Sequence, residues 1–238
     1  DAPVGVALVV VVFSVLGYLV SRYIPAVGDV HKAEKFRFAP WQQTKATISI
    51  SYQNRTVYLS IMAISWFWFL GASYLTQFPN FTKTVLGGDN TVVTALLVAF
   101  SVGVGIGSML CERLSGDRVE LGIVPIGSIG LTLFGISLYF SSPVQLPAEL
   151  LNLSQFLASA FGWWVLIDLT LIGIFGGLFI VPLYALLQQR AEPTQRARVI
   201  AAYNIFNALF MVVSAIAGIV FLTLLDLAIP EYFLILAI

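Results

Sequence analysis

Long apolar runs constrain this chain more than any other feature of its sequence. Six runs cover about residues 3–24, 57–81, 91–111, 121–141, 163–187 and 198–226, and a seventh begins near residue 230. Each of the six is long enough to cross the roughly 30 Å of bilayer hydrocarbon as a helix, and about twice as long as a barrel strand. Hydrocarbon offers no partner for backbone N–H and C=O groups, so helices are the physical choice. Only 10% of the residues are charged, against about a quarter in soluble domains. The runs therefore predict an all-α membrane protein.

Basic residues fall almost entirely on one side of the predicted membrane. When the connecting segments alternate between sides, eleven of the twelve basic residues collect on one side, and Lys83 alone lies on the other. Positive charge is enriched in cytoplasmic loops. The sequence therefore predicts that loops 25–56, 112–120 and 188–197 are cytoplasmic and that residue 1 is periplasmic.

The sequence offers few groups for catalysis or for binding a cofactor. Its formal net charge is zero, so nothing points to a nucleic-acid partner. His31 is the only histidine and Cys111 the only cysteine, and nothing around them indicates a Ser/His/Asp or Cys/His centre. The glycines of Gly103–Gly107 lack the spacing and the preceding strand of a dinucleotide-binding loop. We expect no enzyme active site, no metal site and no cofactor within these residues.

The connection at residues 25–56 is the longest on the predicted cytoplasmic side. Its second half places Trp41, Ile48 and Tyr52 at spacings of seven and four, on one face of a helix. This pattern favours a helix lying in the headgroup interface. The alternative is a solvated linker with a few chance aromatic residues.

Small residues recur at helix-packing spacing inside two of the runs. Ala99, Gly103 and Gly107 form one ridge, and Gly173 with Gly177 forms another. Such ridges allow helix backbones to approach closely, so tight helix packing is the expected role. Gly176, Gly177 and Pro182 also weaken one helix near its middle, where a transporter could bend.

Polar side chains at membrane depth are candidates for substrate binding, because burying them in hydrocarbon is costly. Asp168 could bind a cationic group or carry a proton, or it could simply reach water or cap a neighbouring helix. Asn204 and Asn207 share a helix face, so they either line a cavity, which we favour, or bond two helices together. The full set of predicted substrate-binding residues is Gln77, Asn80, Asp168, Tyr184, Tyr203, Asn204 and Asn207.

Three segments resemble the lysophospholipid transporter family of the major facilitator superfamily. The segment "GGLFIVPLYALLQQRAEPTQRARVIAAYNIFNALFMVVSA" (176–215) is similar to helices ten and eleven of that family, closest to the form fused to a glycerolipid acyltransferase. "ISWFWFLGASYLTQFPNFTKTVLGGDN" (64–90) resembles helix seven. "GSMLCERLSGDRVELG" (107–122) resembles the superfamily's loop signature between helices eight and nine, with its spacing shifted by about one residue. The signature implies gating residues at Glu112, Arg113, Gly116 and Arg118.

The resemblance implies a fold and a domain organisation. The family has two six-helix halves, and substrate binds between them. Residues 1–24 would be helix six, residues 25–56 the interdomain linker, and residues 57–238 helices seven to eleven with the start of helix twelve. The expected architecture is thus a fragment of the major facilitator fold with a truncated last helix.

The resemblance also implies a function. It predicts transport of lysophosphatidylethanolamine-like lipids across a bacterial inner membrane to the cytoplasmic leaflet, by alternating access. Reacylation would follow, so membrane lipids and an acyltransferase domain or subunit are the expected partners. The aromatic side chains Phe67, Trp68 and Phe81 would accommodate the acyl chain. Alternatives are a drug or sugar carrier of the same superfamily and a seven-helix receptor or sensor.

The turn at residues 188–198 gathers Arg190, Arg196 and Arg198 between two apolar runs. Such charges hold a helix end on the cytoplasmic side and can contact anionic headgroups. Polar residues of the candidate site lie on both flanking helices. We therefore interpret the turn as a hinge between two substrate-lining helices, with the three arginines in a gating or topological role.

Overall fold

The computed structural model describes residues 2–23, 39–116, 118–143 and 149–238. Within these residues the helices are α1 (Ala2–Ser21), α2 (Pro40–Ser51), α3 (Arg55–Asn80), α4 (Asn90–Ser115), α5 (Ile123–Phe140), α6 (Leu153–Ala158), α7 (Ala160–Arg190), α8 (Arg196–Ile219) and α9 (Ile229–Ala237). Two π-helical turns, Phe81–Val85 and Val220–Leu224, continue α3 and α8. The chain divides into two compact units, Asp1–Pro40 and Trp41–Ile238. In the first unit, α1 is exposed at every described side chain.

The six long apolar runs all form helices that are long and apolar enough to cross a membrane. The prediction of an all-α membrane protein is thereby confirmed. The seventh run forms only α9, whose nine residues rise about 14 Å, less than half the hydrocarbon thickness. The short helix α6 was not predicted.

Side-chain caps fix the starts of three spanning helices. Asn54 accepts hydrogen bonds from the N–H groups of Thr56 and Val57 at the start of α3. Asp89 does the same for α4, and Ser159 for α7. The caps satisfy amide groups that have no partner inside the helix. This is why the helices begin a few residues from the bounds suggested by hydropathy alone.

A seam of glycines joins α4 to α7, the central helix of the second unit. A Cβ added at Gly103 would overlap the carbonyl oxygen of Thr170, and one at Gly107 would overlap that of Ile174. From the other side, a Cβ at Gly177 would lie 2.8 Å from the backbone nitrogen of Ser108. Only hydrogen fits between these backbones. The close approach expected from the two small-residue ridges is confirmed, and the ridges face each other.

The opposite flank of α7 is equally tight. A Cβ at Gly127 of α5 would lie 2.7 Å from the backbone nitrogen of Phe179, and the ring of Phe175 occupies the space above Gly130. Pro182 does not interrupt α7, which is continuous from Ala160 to Arg190. The helix is thus unbroken at its glycines and proline, and bending there during transport stays a prediction.

The helix ends of the second unit separate into two regions with different charge. At one end, Ile50, Val57, Leu187 and Val199 belong to one buried cluster, which joins α2, α3, α7 and α8. The arginines at helix ends there are Arg55, Arg113, Arg118, Arg190, Arg196 and Arg198. We call this the arginine-rich end. Lys83 lies at the opposite end, beside the cluster that contains Phe81, Phe156 and Phe233.

The opposite end is held by hydrogen bonds between two loops. The N–H of Asp89 donates to the carbonyl of Leu151 over 2.9 Å, and the N–H of Leu151 donates to Gly87 over 2.7 Å. Gly87 has a φ of 64°, a conformation that residues with a Cβ rarely adopt. This join ties the α3–α4 connection to the segment that precedes α6.

A helix is present in the second half of the predicted linker, where α2 runs from Pro40 to Ser51. Its contact with the rest of the second unit is made by Ile50 and Ser51, which are buried, while Trp41 is 86% exposed. Of the other two residues of the predicted face, Ile48 is half-buried, and the ring of Tyr52 contacts that of Tyr58 on α3. Its position in the headgroup interface stays a prediction, and residues 25–38 of the predicted linker, with His31, lie outside the described residues.

Candidate functional site

Three aromatic side chains form a row across α3, α7 and α8. The indole Nε1 of Trp68 donates a 2.9 Å hydrogen bond to the hydroxyl of Tyr184. The ring of Tyr184 meets that of Tyr203 edge to face, with centroids 5.6 Å apart. Trp68 is 37% exposed, and both tyrosines are half-buried. The row therefore presents aromatic surface and hydroxyl groups on an accessible face of the second unit.

A cavity of about 200 Å³ opens beside this row at the arginine-rich end. It lies between the end of α7 and the start of α8. The lining residues are Tyr184, Leu187, Gln188, Ala191, Arg196, Val199, Ile200 and Tyr203. Three residues singled out from the sequence, Tyr184, Tyr203 and Arg196, are thus brought together. Sequence reasoning missed Gln188, one helical turn beyond Tyr184, although that spacing was a usable signal.

Asn207 bonds two helices together. Its Oδ1 accepts a 2.9 Å hydrogen bond from the hydroxyl of Ser65 on α3, and the side chain is 8% exposed. Bonding two helices together is one of the two roles that the sequence predicts for the asparagine pair. It is not the cavity lining that the sequence favours. Asn204 lies one turn earlier on α8 and is exposed. Of the two asparagines, only Asn204 therefore presents its side-chain amide at the surface. Substrate contact at either residue stays a prediction.

A second hydroxyl bridge lies further along the same two helices. The hydroxyls of Ser73 on α3 and Ser214 on α8 are hydrogen-bonded over 3.0 Å, and both side chains are buried. Ser65 and Ser73 were missed from the sequence because a serine inside an apolar helix usually bonds its own backbone. The available signal was spacing: the serines of α3 are eight apart, and Asn207 and Ser214 are seven apart.

Asp168 is enclosed by protein. Its carboxyl Oδ2 accepts a 2.6 Å hydrogen bond from Ser141, at the end of α5, and the residue is only 2% exposed. A cavity of about 460 Å³ nearby is lined by Ser137, Ser141 and Trp164 but not by Asp168 itself. The idea that this acid simply reaches water is therefore wrong for the described residues. Its geometry is that of a bond between α7 and α5, and a substrate-binding role stays a prediction.

Gln77 and Asn80 form a pair near the opposite end of α3. The Nδ2 of Asn80 donates to the Oε1 of Gln77 over 3.3 Å, and Asn80 is exposed. Nine residues separate Gln77 from Trp68, which is about 14 Å along the helix axis. The pair is therefore distant from the cavity at the arginine-rich end.

A metal centre has no support in the described part of the chain. No group of three or more His, Cys, Asp or Glu side chains there could hold an ion.

Comparison with known families identifies the architecture. The profile of the major facilitator superfamily matches residues 2–215. The chain belongs to the major facilitator superfamily. Within this superfamily it is 30% identical over 197 residues to the lysophospholipid transporter LplT of Cronobacter sakazakii, covering 81% of this chain and 44% of that protein. It is 28% identical over 207 residues to the LplT of an Enterobacter species, covering 86% of this chain and 47% of that protein.

These relatives confirm the resemblance to lysophospholipid transporters. The chain spans less than half the length of the curated relatives it matches. No solved structure matches it significantly. The superfamily membership and the six spanning helices show a multi-pass membrane protein.

The superfamily's loop signature lies between α4 and α5, where the sequence expected it. Gly116 ends α4 with a φ of 52°, the left-handed conformation that glycine adopts most readily. Glu112, Arg113 and Arg118 around it are exposed. The geometry explains why a glycine stands at this position, and a gating role for the loop stays a prediction.

The arginine turn of this major facilitator chain is anchored by apolar side chains. Ala191, within the turn, and Val199, directly after it, are buried in the cluster that contains Val57 of α3. Arg190 and Arg196 are exposed, whereas Arg198 has a partner within the described part of the chain. The connection between α7 and α8 is therefore a short packed segment, and its proposed hinge role is not tested by this arrangement.

Proposed function

We propose that this chain is part of a transporter that moves lysophospholipids, chiefly lysophosphatidylethanolamine-like ones, across a bacterial inner membrane to the cytoplasmic leaflet. The observation that carries the proposal is the similarity of about four-fifths of the chain to proteins named lysophospholipid transporters. At about 30% identity the similarity supports the class of cargo more than a particular headgroup.

The accessible aromatic row supports the same cargo. A lysophospholipid has one acyl chain and a polar headgroup, so it needs apolar surface and hydrogen-bonding groups side by side. The half-exposed indole of Trp68 supplies apolar area, the hydroxyls of Tyr184 and Tyr203 supply hydrogen bonds, and Asn204 offers an exposed amide. Aromatic side chains with a polar tip suit such amphipathic contacts.

Alternating access would move the packed core of the second unit as a body. The interlocked backbones of α4 and α7 leave no room for sliding at Gly103, Gly107 or Gly177, because packed interiors resist continuous deformation. Rocking of one half of the protein against the other, with substrate between them, fits this rigidity. The arginine-rich end would face the cytoplasm, and its α7–α8 turn would open and close there.

Reacylation completes the proposal. A lysophospholipid delivered to the cytoplasmic leaflet lacks one acyl chain, and the class of reaction that consumes it is acyl transfer to its free glycerol hydroxyl. We therefore propose an acyltransferase, as a domain of the same protein or as a separate subunit, as the functional partner.

Uptake by the intact protein in proteoliposomes tests the function. Radiolabelled lysophosphatidylethanolamine should accumulate, and excess unlabelled lysophospholipid should compete, whereas glucose and the cationic drug tetraphenylphosphonium should not. If the drug or the sugar inhibited uptake and unlabelled lysophospholipid did not, the result would instead establish the alternative carrier function.

A matched pair of tryptophan variants tests the aromatic row. Trp68→Phe removes the donor to Tyr184 and should slow uptake severalfold, since a hydrogen bond contributes roughly 0.5–1.5 kcal/mol. Trp66→Phe is the control, because Trp66 is on the same helix and stacks on Phe69 instead. Equal uptake rates in the two variants would remove the row from the substrate path.

A further inference from the structure

The cavity between α7 and α8 at the arginine-rich end has the chemistry of an anion site. The polar residues that line it are Arg196, Tyr184, Tyr203 and Gln188. No carboxylate lines it. Arginine presents N–H donors in a planar fork that matches phosphate oxygens. The set therefore favours a group with several acceptor oxygens and negative charge.

Tyr184, which lines the cavity, has a hydroxyl proton that it can donate. A phenol can accept and donate at once, and here the accepting position is used by the indole N–H of Trp68. Within the described residues the Tyr184 proton has no acceptor, and the Tyr203 hydroxyl has no hydrogen-bond partner. Two hydroxyl donors, with their rings in edge-to-face contact, are thus available to one bound group.

Arg196 is also available. No ion pair involves it within the described part of the chain, and its side chain is exposed. It is the first residue of α8, whose N-cap residue Gln195 makes no side-chain cap hydrogen bond. The positive end of the helix dipole adds to the charge of the guanidinium at this point.

The size of the cavity decides how much of a lipid it can hold. Its volume is about 200 Å³, below the roughly 300–1,000 Å³ typical of pockets that enclose whole drug-sized ligands. A phosphate with part of its headgroup fits, whereas an acyl chain must lie outside. Ile200 at the rim is 43% exposed and offers apolar surface for the beginning of such a chain.

We infer that this cavity binds the phosphodiester group of a lysophospholipid at the arginine-rich end, with Arg196 as the charged anchor and Tyr184 and Tyr203 as hydroxyl donors. The inference rests on the proposed transport function and deepens it, because it assigns a headgroup subsite to residues of α7 and α8. A bilayer phospholipid carries the same phosphodiester, so the experiment must separate the two sources.

The test measures equilibrium binding to the intact protein in detergent, with lysophosphatidylethanolamine as the probe. Arg196→Gln should weaken binding about tenfold or more, because charge-assisted hydrogen bonds are the stronger ones, and Arg196→Lys should recover part of the loss. The double variant Tyr184→Phe/Tyr203→Phe should weaken binding severalfold. Thermal unfolding of each variant checks that the fold is intact.

The control is Arg55→Gln. Arg55 is likewise exposed and is the first residue of a helix at the same end, but it does not line the cavity. Its binding constant should match the wild type. Monoacylglycerol, which lacks the phosphodiester, should bind more weakly than lysophosphatidylethanolamine, and the Arg196→Gln change should not alter its affinity. Equal losses in Arg196→Gln and Arg55→Gln, or none in either, overturn the subsite.

Two further outcomes separate this inference from the proposed function. If the wild-type protein binds lysophosphatidylethanolamine and Arg196→Gln leaves its affinity unchanged, the subsite fails and the transport function stands. If wild type does not bind or transport any lysophospholipid, the function itself fails. A diacyl phosphatidylethanolamine that competes equally in the wild type, with the same Arg196 dependence, overturns the substrate assignment in favour of a bilayer-lipid site.

Discussion

The hydroxyl of Ser65 on α3 donates a 2.9 Å hydrogen bond to the side-chain oxygen of Asn207 on α8, across 142 positions of sequence. Both side chains are buried, so water cannot replace the bond. The pair joins the helices on the side next to the aromatic row, because Trp68 lies one turn from Ser65 on α3. We therefore expect this hydrogen bond to affect both the stability of the protein and the shape of the candidate site.

Removing this bond should destabilise the protein modestly. A double-mutant cycle of Ser65→Ala and Asn207→Ala should give a coupling free energy of about 0.6 kcal/mol and at most about 1.7 kcal/mol, the range for hydrogen bonds between membrane helices. Reversible unfolding in mixed detergent micelles measures it. Asn204→Ala, at an exposed position one turn away, should change stability little while lowering lysophospholipid uptake. Strict additivity of the two single variants would show that the bond contributes nothing.

The glycines of α4 allow two glycine-to-alanine substitutions to be compared within a single helix. Gly103→Ala should destabilise the protein by about 1–3 kcal/mol, as overpacking does, because the new methyl group meets the backbone of Thr170. Gly105→Ala is the matched control, since a Cβ there has nothing within 4 Å. Its effect should be neutral or slightly stabilising, because alanine favours helix. Thermal unfolding of both variants in the same detergent measures the difference in stability. Similar unfolding midpoints would contradict the close backbone contact at Gly103.

Asp89 should make stability depend on pH at the opposite end of the molecule. The hydroxyl of Thr91 donates to its carboxylate over 2.6 Å, and this bond, with those from the N–H groups of Thr91 and Val92, lowers the pKa of Asp89 below its ordinary value. Because the pKa is lower in the folded state, the carboxylate stabilises the fold above the unfolded-state value. That contribution is lost as pH falls through the folded-state value.

The variant Asp89→Asn checks this direction. It should be less stable than the wild type at neutral pH, and the difference should shrink as pH falls below the ordinary aspartate range, where the wild-type carboxyl is protonated too. Thermal unfolding across that pH range provides the measurement. Glu120→Gln, an exposed change at the other end, is the control. If the difference in stability between Asp89→Asn and the wild type widened as the pH fell, the predicted pH dependence would have the wrong sign.

The bond between Ser141 and the enclosed carboxyl of Asp168 should contribute to stability. Ser141→Ala removes a donor from a carboxyl that is 2% exposed, and an under-bonded buried polar group costs about 1–3 kcal/mol. Ser142→Ala is the neighbouring control, because that hydroxyl bonds only the backbone carbonyl of Leu138. Unfolding midpoints should fall clearly for the first variant alone. Equal midpoints would show that the Ser141 hydroxyl contributes nothing to stability.

The apolar runs predicted the six long helices, and the basic residues between them predicted the arginine-rich end. A spanning helix must be apolar along about 20 residues whatever it packs against, so the signal is local and strong. The small-residue ridges at Gly103 and Gly177 were also readable, because the absence of a side chain is itself the requirement for close approach.

Tertiary structure alone decided which polar groups face which partner. In hydrocarbon the lipid-facing and protein-facing sides of a helix are both apolar, so periodicity does not reveal the buried face, and Ser65 gave no sign that it meets Asn207. For the same reason, the sequence did not show that Asp168 is buried and bonded to Ser141. The sequence by itself determined six crossing helices, their charged end and the family resemblance. Packing decided that Asn207 bridges α3 and α8, and that Tyr184 of α7 shares a cavity with Arg196 and Tyr203 of α8, because those contacts join residues on different helices.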